Sequence, residues 1–288
     1  MGLGDDLMIT GFVEREHEKH PDKQIVIGNL NDNLIFDSIV YLNNPKITHS
    51  SNLDKNKPVH FINYNDLNRF YINYKECSDY NLAWRTDFKL IPGKIYFSKK
   101  EVKDADNILN KAYDYWFKNN SKKPVGTIFF ESYSTKGDQD FYSNKMINKN
   151  WGEENWRNLI NKLKNKYLII QSVHKEAMRV NGTFYANNEF DFRTACALMN
   201  RCNLFLGNEG AFGHAAAALN KKGVVYFGGW ISPQSTGYDI HENIYYKDNE
   251  SPCGAVGYIC NHCKKARTNI SVHYLEDKIN QIFQENII

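Results

Sequence analysis

Short apolar runs and helix-spaced apolar positions alternate along this chain, most regularly in its second half. Met8, Phe12 and Val13 share one face of a helix predicted from the opening loop to about Lys19, and Pro21 ends it. Gln24–Gly28 follows as a short apolar strand. Leu34–Leu42 and Val59–Ile62 read as further strands, with Asn43-Asn44-Pro45 breaking the chain between them. Residues 64–90, rich in Tyr, Asn and Asp, carry no assignable pattern. Val102, Ala105, Ile108, Leu109, Ala112, Tyr113 and Trp116 have helical spacing within Glu101–Phe117. The polar stretch Asn119–Pro124 is the best linker candidate, dividing the chain into domains 1–122 and 123–288.

Beyond that linker the alternation is sustained. Gly126–Phe130 reads as a strand, Trp156, Leu159, Ile160 and Leu163 as an amphipathic helix, Tyr167–Gln171 as a strand, and Phe192, Ala195, Cys196 and Met199 as a helix. Leu204–Gly229 adds strand, glycine-rich turn, helix and strand, and Leu275, Ile279, Ile282 and Phe283 mark a final helix. This order predicts a parallel, doubly wound α/β domain. The polar loop Glu131–Asn148 exceeds a usual connection, which favours a binding or lid role. The first half offers the loop, helix and strand of a βαβ unit without the strand that should precede the loop.

Candidate chemistry concentrates in the turn Gly207-Asn208-Glu209-Gly210-Ala211-Phe212-Gly213-His214. A glycine-rich strand-to-helix turn aims backbone N–H groups and the positive end of a helix dipole at one point, a ready anion site. In open α/β sheets such turns lie where ligands bind, at the carboxyl ends of the strands. Composition narrows the partners. A net charge of +3 with interspersed acids and bases gives no argument for nucleic acid, though a mildly basic face suits an anionic substrate or a peripheral membrane contact. Neither a membrane-spanning apolar run nor a signal pattern is visible, so a cytoplasmic location is expected, at the inner face of the membrane if that contact is made.

Three stretches resemble glycosyltransferase family 9, the heptosyltransferase-like enzymes: Gly2-Leu3-Gly4-Asp5, then Asn148-Lys149-Asn150-Trp151 with Trp156 following, then Gly207 to Ala215. Their order and separation match the family over nearly the whole chain. The resemblance implies a GT-B fold, two Rossmann-like domains facing a central cleft, here with the first strand of the N-terminal domain missing. It also implies transfer of a sugar, with inversion, from a nucleotide-sugar donor to a hydroxyl of a glycan or glycolipid acceptor in surface polysaccharide synthesis. Asp5 matches the general base for that hydroxyl, while the same residue type also caps helices. Lys149 matches the lysine at the donor phosphates. Glu209 stands where the family has Asp, and Gly210, Ala211, Phe212, Gly213 and His214 would present backbone N–H groups, with the His214 imidazole, to the donor diphosphate. Glu176, by position alone, would reach the donor ribose. No catalytic metal is expected. A nucleotide-sugar epimerase on the same fold and a non-catalytic binding relative are the alternatives.

Cys253-x6-Cys260-x2-Cys263 is half of a metal-site signature, and some family members carry a similar cysteine-rich finger. Three cysteines need a fourth ligand, with His241, His262 and His273 nearby. A structural zinc or iron and a set of reduced, metal-free thiols both fit. The pattern is silent on oligomeric state.

Overall fold

A computed structural model describes residues 2–65, 68–132, 147–173, 179–187, 191–258 and 260–285. The chain opens with helix α1, Leu3–Lys19, and continues into a small sheet of β1 (Gln24–Asn29), β2 (Leu34–Ile35) and β3 (Val59–Asn63). Strand β1 is central, parallel to β3 and antiparallel to β2. Helix α2, Lys99–Asn119, starts at a capping box in which the Ser98 side chain and Glu101 satisfy each other's backbone N–H groups.

The second half supplies β4 (Thr127–Glu131), α3 (Glu153–Leu163), β5 (Leu168–Val173), β6 (Phe184–Asn187), α4 (Phe192–Arg201), β7 (Leu204–Asn208), α5 (Ala211–Ala218), β8 (Gly223–Gly228), α6 (Pro233–Thr236), β9 (His241–Tyr245), α7 (Asn261–Asn269) and α8 (Val272–Glu285). Its six strands are all parallel, in the order β6-β5-β4-β7-β8-β9. That is the doubly wound order, and its direction reverses between β4 and β7. The carboxyl end of β7 therefore delivers Glu209 and Gly210 to the crevice where such sheets bind ligands.

The two halves share a core. Leu7 of α1, Ile25 and Ile27 of β1, Ala105 of α2, and Phe129 and Phe205 of the large sheet belong to one buried apolar cluster. Helix α2 precedes the expected linker yet lies against α4, over β5 and β6. Buried Arg193 of α4 fixes that contact, donating from Nε to Glu101 at 2.5 Å, from a terminal nitrogen to Ile39 O at 2.9 Å, and to Tyr96 O. On the sheet's other face Trp151 and Trp156 pack edge to face at 4.8 Å, filling the core.

Two expectations change. Leu34–Leu42 is not one strand: only Leu34–Ile35 pair with β1, and Ile39–Tyr41 forms a 3₁₀ turn. Ser38 causes the break, accepting from Val40 N–H and donating to Asp6, a local alternative to the sheet ladder. Strands β6 and β9 and helix α7 also lie where no element was predicted, because short strands such as His-Glu-Asn-Ile-Tyr lack an apolar run. Among the described residues α1 has no strand before it. The greater part of the loop predicted at Glu131–Asn148 lies outside the described residues.

Candidate active site

A cavity of about 380 Å³ opens where the start of α1, the irregular segment around Arg69–Trp84 and the carboxyl edge of the large sheet meet. Gly4 makes the close approach possible. A Cβ there would stand 3.1 Å from the His214 ring and 3.4 Å from Ala211 Cα, so the amino ends of α1 and α5 touch.

Asp5 lies on the first-half wall. Its Oδ2 accepts the Gly2 N–H at 3.3 Å, completing a cap, while Oδ1 accepts the Tyr71 hydroxyl at 2.7 Å and that of Tyr64 at 3.2 Å. Arg69 Nε stands 3.6 Å from Oδ1. Asp5 is thus a helix cap and a cavity wall at once. Burial, and after it the charge of Asp5, push both phenols upward, so they remain protonated donors. Asp6 points elsewhere, into Ser38 at 2.6 Å and Tyr41 at 3.3 Å, and burial raises its carboxyl against those two hydrogen bonds. Geometry therefore separates the adjacent carboxylates.

The opposite wall belongs to the second half. Lys149 forms a buried ion pair with Glu209 Oε2, and its Nζ lies 5.2 Å over the Trp230 ring. His214 Nε2 lies 3.6 Å from Glu209 Oε1, and its Nδ1 meets the Tyr238 hydroxyl at 3.0 Å. Burial by itself would raise the Glu209 carboxyl, but Lys149 and then His214 outweigh it and bring the group down to about 2. Gly210 and Ala211 line the cavity beside them.

Not every expected residue lines the cavity. The Phe212 ring packs on Phe129 at 5.2 Å and Phe192 at 5.0 Å, placing it in the core, and Gly213 turns its carbonyl to His241 at 3.1 Å. Neither lines the cavity. Glu176 lies outside the described residues. Conversely, Arg69, Tyr71, Trp84 and Trp230 line it without having been singled out. Trp84 donates its indole N–H to Trp230 O at 2.9 Å and stacks near Tyr71 at 6.4 Å, an aromatic wall assembled from both halves.

The three cysteines sit behind that wall. Their sulfurs lie within 4.8 Å of one another, and Cys253 and Cys263 are 3.4 Å apart. The Cys263 hydrogen bond pulls the Cys253 thiol down against burial, while the same contact, with burial, raises Cys263. Thiolates so gathered suit zinc or iron. The histidines expected as a fourth ligand are engaged elsewhere: His262 with Ser251 and Gly229 O, His241 with Gly213 O, His273 with Glu276. The segment holding the cluster also braces the cavity. Gly254 N–H bonds Trp230 O at 3.0 Å, Leu82 N–H bonds Gly254 O at 2.8 Å, and the Asn148 amide beside Lys149 bonds Ala255 O at 3.1 Å.

Residues 141–271, just under half of the chain, match the model of glycosyltransferase family 9 (heptosyltransferase). This chain carries a family 9 glycosyltransferase domain. It is accordingly an enzyme of the nucleotide-sugar glycosyltransferase class, and the matched stretch contains Lys149, Glu209–His214 and the three clustered cysteines, while Asp5 lies outside it. The fold is that of a family 9 glycosyl transferase from Veillonella parvula, with 15% identity and a TM-score of 0.63 over 99% of this chain and 95% of that one. It is also that of TibC, an iron-containing dodecameric glycosyltransferase from enterotoxigenic E. coli, with 12% identity and a TM-score of 0.64 over 99% and 74% of the two chains. No curated protein matches the chain. Among the described residues no helix is long and apolar enough to cross a membrane.

Proposed function

We propose that this family 9 glycosyltransferase domain works in an enzyme that moves a sugar, with inversion at its anomeric carbon, from a nucleoside-diphosphate sugar to a hydroxyl of a glycan or glycolipid in surface polysaccharide synthesis. The observation that carries this reading is the meeting in one cavity of Asp5 from the first half with Lys149, Gly210 and Ala211 from the second. Inversion by direct displacement needs a base on one side of the anomeric carbon and a stabilised leaving group on the other. Asp5, held as an acceptor by Tyr64, Tyr71 and Arg69, takes the proton as the acceptor hydroxyl attacks. Lys149 and the amino end of α5 receive the charge that develops on the departing diphosphate, without a catalytic metal. Residues 1–122 form the acceptor side and 123–288 the donor side, with α2 crossing over to brace the latter.

The cysteine cluster would hold a structural zinc or iron, its fourth ligand supplied from outside the triad. The three converging sulfurs support this, as does the description of TibC as iron-containing. When bound, the metal would fix the thiolates, and the chain's own part is to anchor the backbone that carries Trp230 and Asn148. Six free cysteines suit a reducing cytoplasm, where nucleotide sugars are made, and a lipid-linked acceptor would bring the enzyme to the inner membrane face.

The test is transfer from a panel of nucleotide sugars by the wild type and by Asp5→Asn. The variant keeps the acceptor oxygen for Tyr64 and Tyr71 but loses the base, so kcat should fall about 10²–10⁴-fold while nucleoside-diphosphate affinity is unchanged. A variant that retains full turnover removes Asp5 from the reaction. Failure of every nucleoside diphosphate to bind the wild type would sink the donor site.

A further inference from the structure

A second set of metal-ligating side chains lies at the far end of α1, away from both the cavity and the cysteines. Glu16 and His20 are four residues apart; His20 caps α1, its N–H bonding Glu16 O at 3.0 Å while its own backbone (φ −133°, ψ 59°) leaves the helix. His60 on β3, in register with Ile25 of β1, reaches the same point. Its Nε2 lies 3.0 Å from Glu16 Oε2, and its ring centroid is 4.0 Å from that of His20. One ligand atom from each of the three falls within 4.8 Å of the others, and all three residues are half-buried. Lys19 occupies only the other carboxylate oxygen, donating to Glu16 Oε1 at 2.7 Å. The Glu16–His60 hydrogen bond explains two of these positions; it does not explain why a second imidazole converges on them.

We propose that Glu16, His20 and His60 bind a divalent cation of borderline softness, zinc foremost. Two imidazoles and one carboxylate are a zinc donor set, with water as the fourth ligand. The ion replaces the Glu16–His60 hydrogen bond and ties the carboxyl end of α1 to β3. Its role is structural: Asp5 and Glu16 are about 16 Å apart along the helix axis. The helix that presents Asp5 to the cavity would then be fixed at both ends.

Cobalt(II) replaces zinc in such sites and reports its ligands by absorption. Imidazole and carboxylate give visible d–d bands alone, whereas thiolates add near-ultraviolet charge transfer, so this site and the cysteine cluster are read separately in one titration of the whole chain. The expected result is a set of non-thiolate bands saturating at one cobalt per chain and displaced by zinc. His20→Ala and His60→Ala should each weaken that binding about tenfold or more. His60→Gln keeps a hydrogen-bond donor for Glu16, so it should lose cobalt while its metal-free thermal midpoint stays that of the wild type. Absence of non-thiolate bands in the wild type, or bands undiminished in both histidine-to-alanine variants, would overturn the proposal.

Discussion

Lys149→Met tests the donor wall through stability as well as activity. Burial alone would raise the Glu209 carboxyl; Lys149, and after it His214, instead lower it from 4.5 to about 2. A depressed folded-state pKa contributes stability that is present above the unfolded value and lost as pH falls toward 2. The depression corresponds to about 3 kcal/mol. Methionine keeps the length of the side chain but removes the charge, leaving a buried carboxylate with His214 at 3.6 Å. Removing one partner of a buried pair costs about 3–5 kcal/mol, so a deficit of that size is expected at pH 7. With Lys149 gone, burial dominates and the Glu209 pKa moves above 4.5. Protonation then relieves the buried charge, and the deficit relative to the wild type should shrink as pH falls from 7 to 4. Urea unfolding of both proteins across that range measures it, and introducing Glu209→Gln into both the wild type and the variant should abolish the pH dependence of the difference. A deficit that does not change with pH, or one below about 1 kcal/mol, would refute the pairing.

Other outcomes follow from the same geometry. In turnover, Lys149→Met should lower kcat by about 10²–10³-fold, the usual loss for one group stabilising developing negative charge, as measured with saturating donor. Arg193→Met should destabilise the fold by about 3–5 kcal/mol in urea unfolding, because it strands Glu101 and two backbone carbonyls that the buried guanidinium serves. If the cysteines hold metal, elemental analysis of protein purified without chelator should find zinc or iron, and Cys263→Ser should lose it. The same variant should lower donor affinity by loosening the segment that anchors Trp230 and Asn148, which a nucleotide titration reads directly.

The second-half wall was legible because its chemistry is written in local sequence. A strand, a turn with Gly210 and Gly213 and an alanine-rich helix are fixed by neighbours along the chain, and the parallel sheet follows from their alternation. The first-half wall was not legible for the opposite reason. Tyr64, Arg69, Tyr71 and Trp84 belong to a segment whose described residues hold only isolated bridges such as Ile72 with Trp84, so no periodicity announces them. What positions them is distant in sequence: Trp84 rests on Trp230, and Leu82 hangs from Gly254. At Phe212 backbone and side chain part company: the turn was expected to offer its backbone N–H, while the ring, one position past Ala211, faces Phe129 and Phe192, where burying it gains more than exposure at the cleft.

The shared core bears on how such a cleft can work. In a two-domain enzyme with separate cores, closure is a rotation about the linker. Here α1 contributes Leu7 and Val13 to the cluster that also contains Phe129 and Phe205, and its amino end abuts α5 through Gly4. Lys94 N–H bonds the Thr10 hydroxyl at 2.8 Å, and a Cβ on Gly11 would lie 2.6 Å from the Ile91 carbonyl, so residues 91–94 clasp the same helix. A large rotation would separate packed apolar surface and break these contacts together, at a cost set by the area exposed. Asp5 is therefore held at a fixed distance from Glu209 and Lys149 by packing already present without substrate. On the proposed reading the orientation for displacement is built into the fold, and what would adjust on binding is the Lys149–Glu209 pair, which would share its cation with the incoming diphosphate.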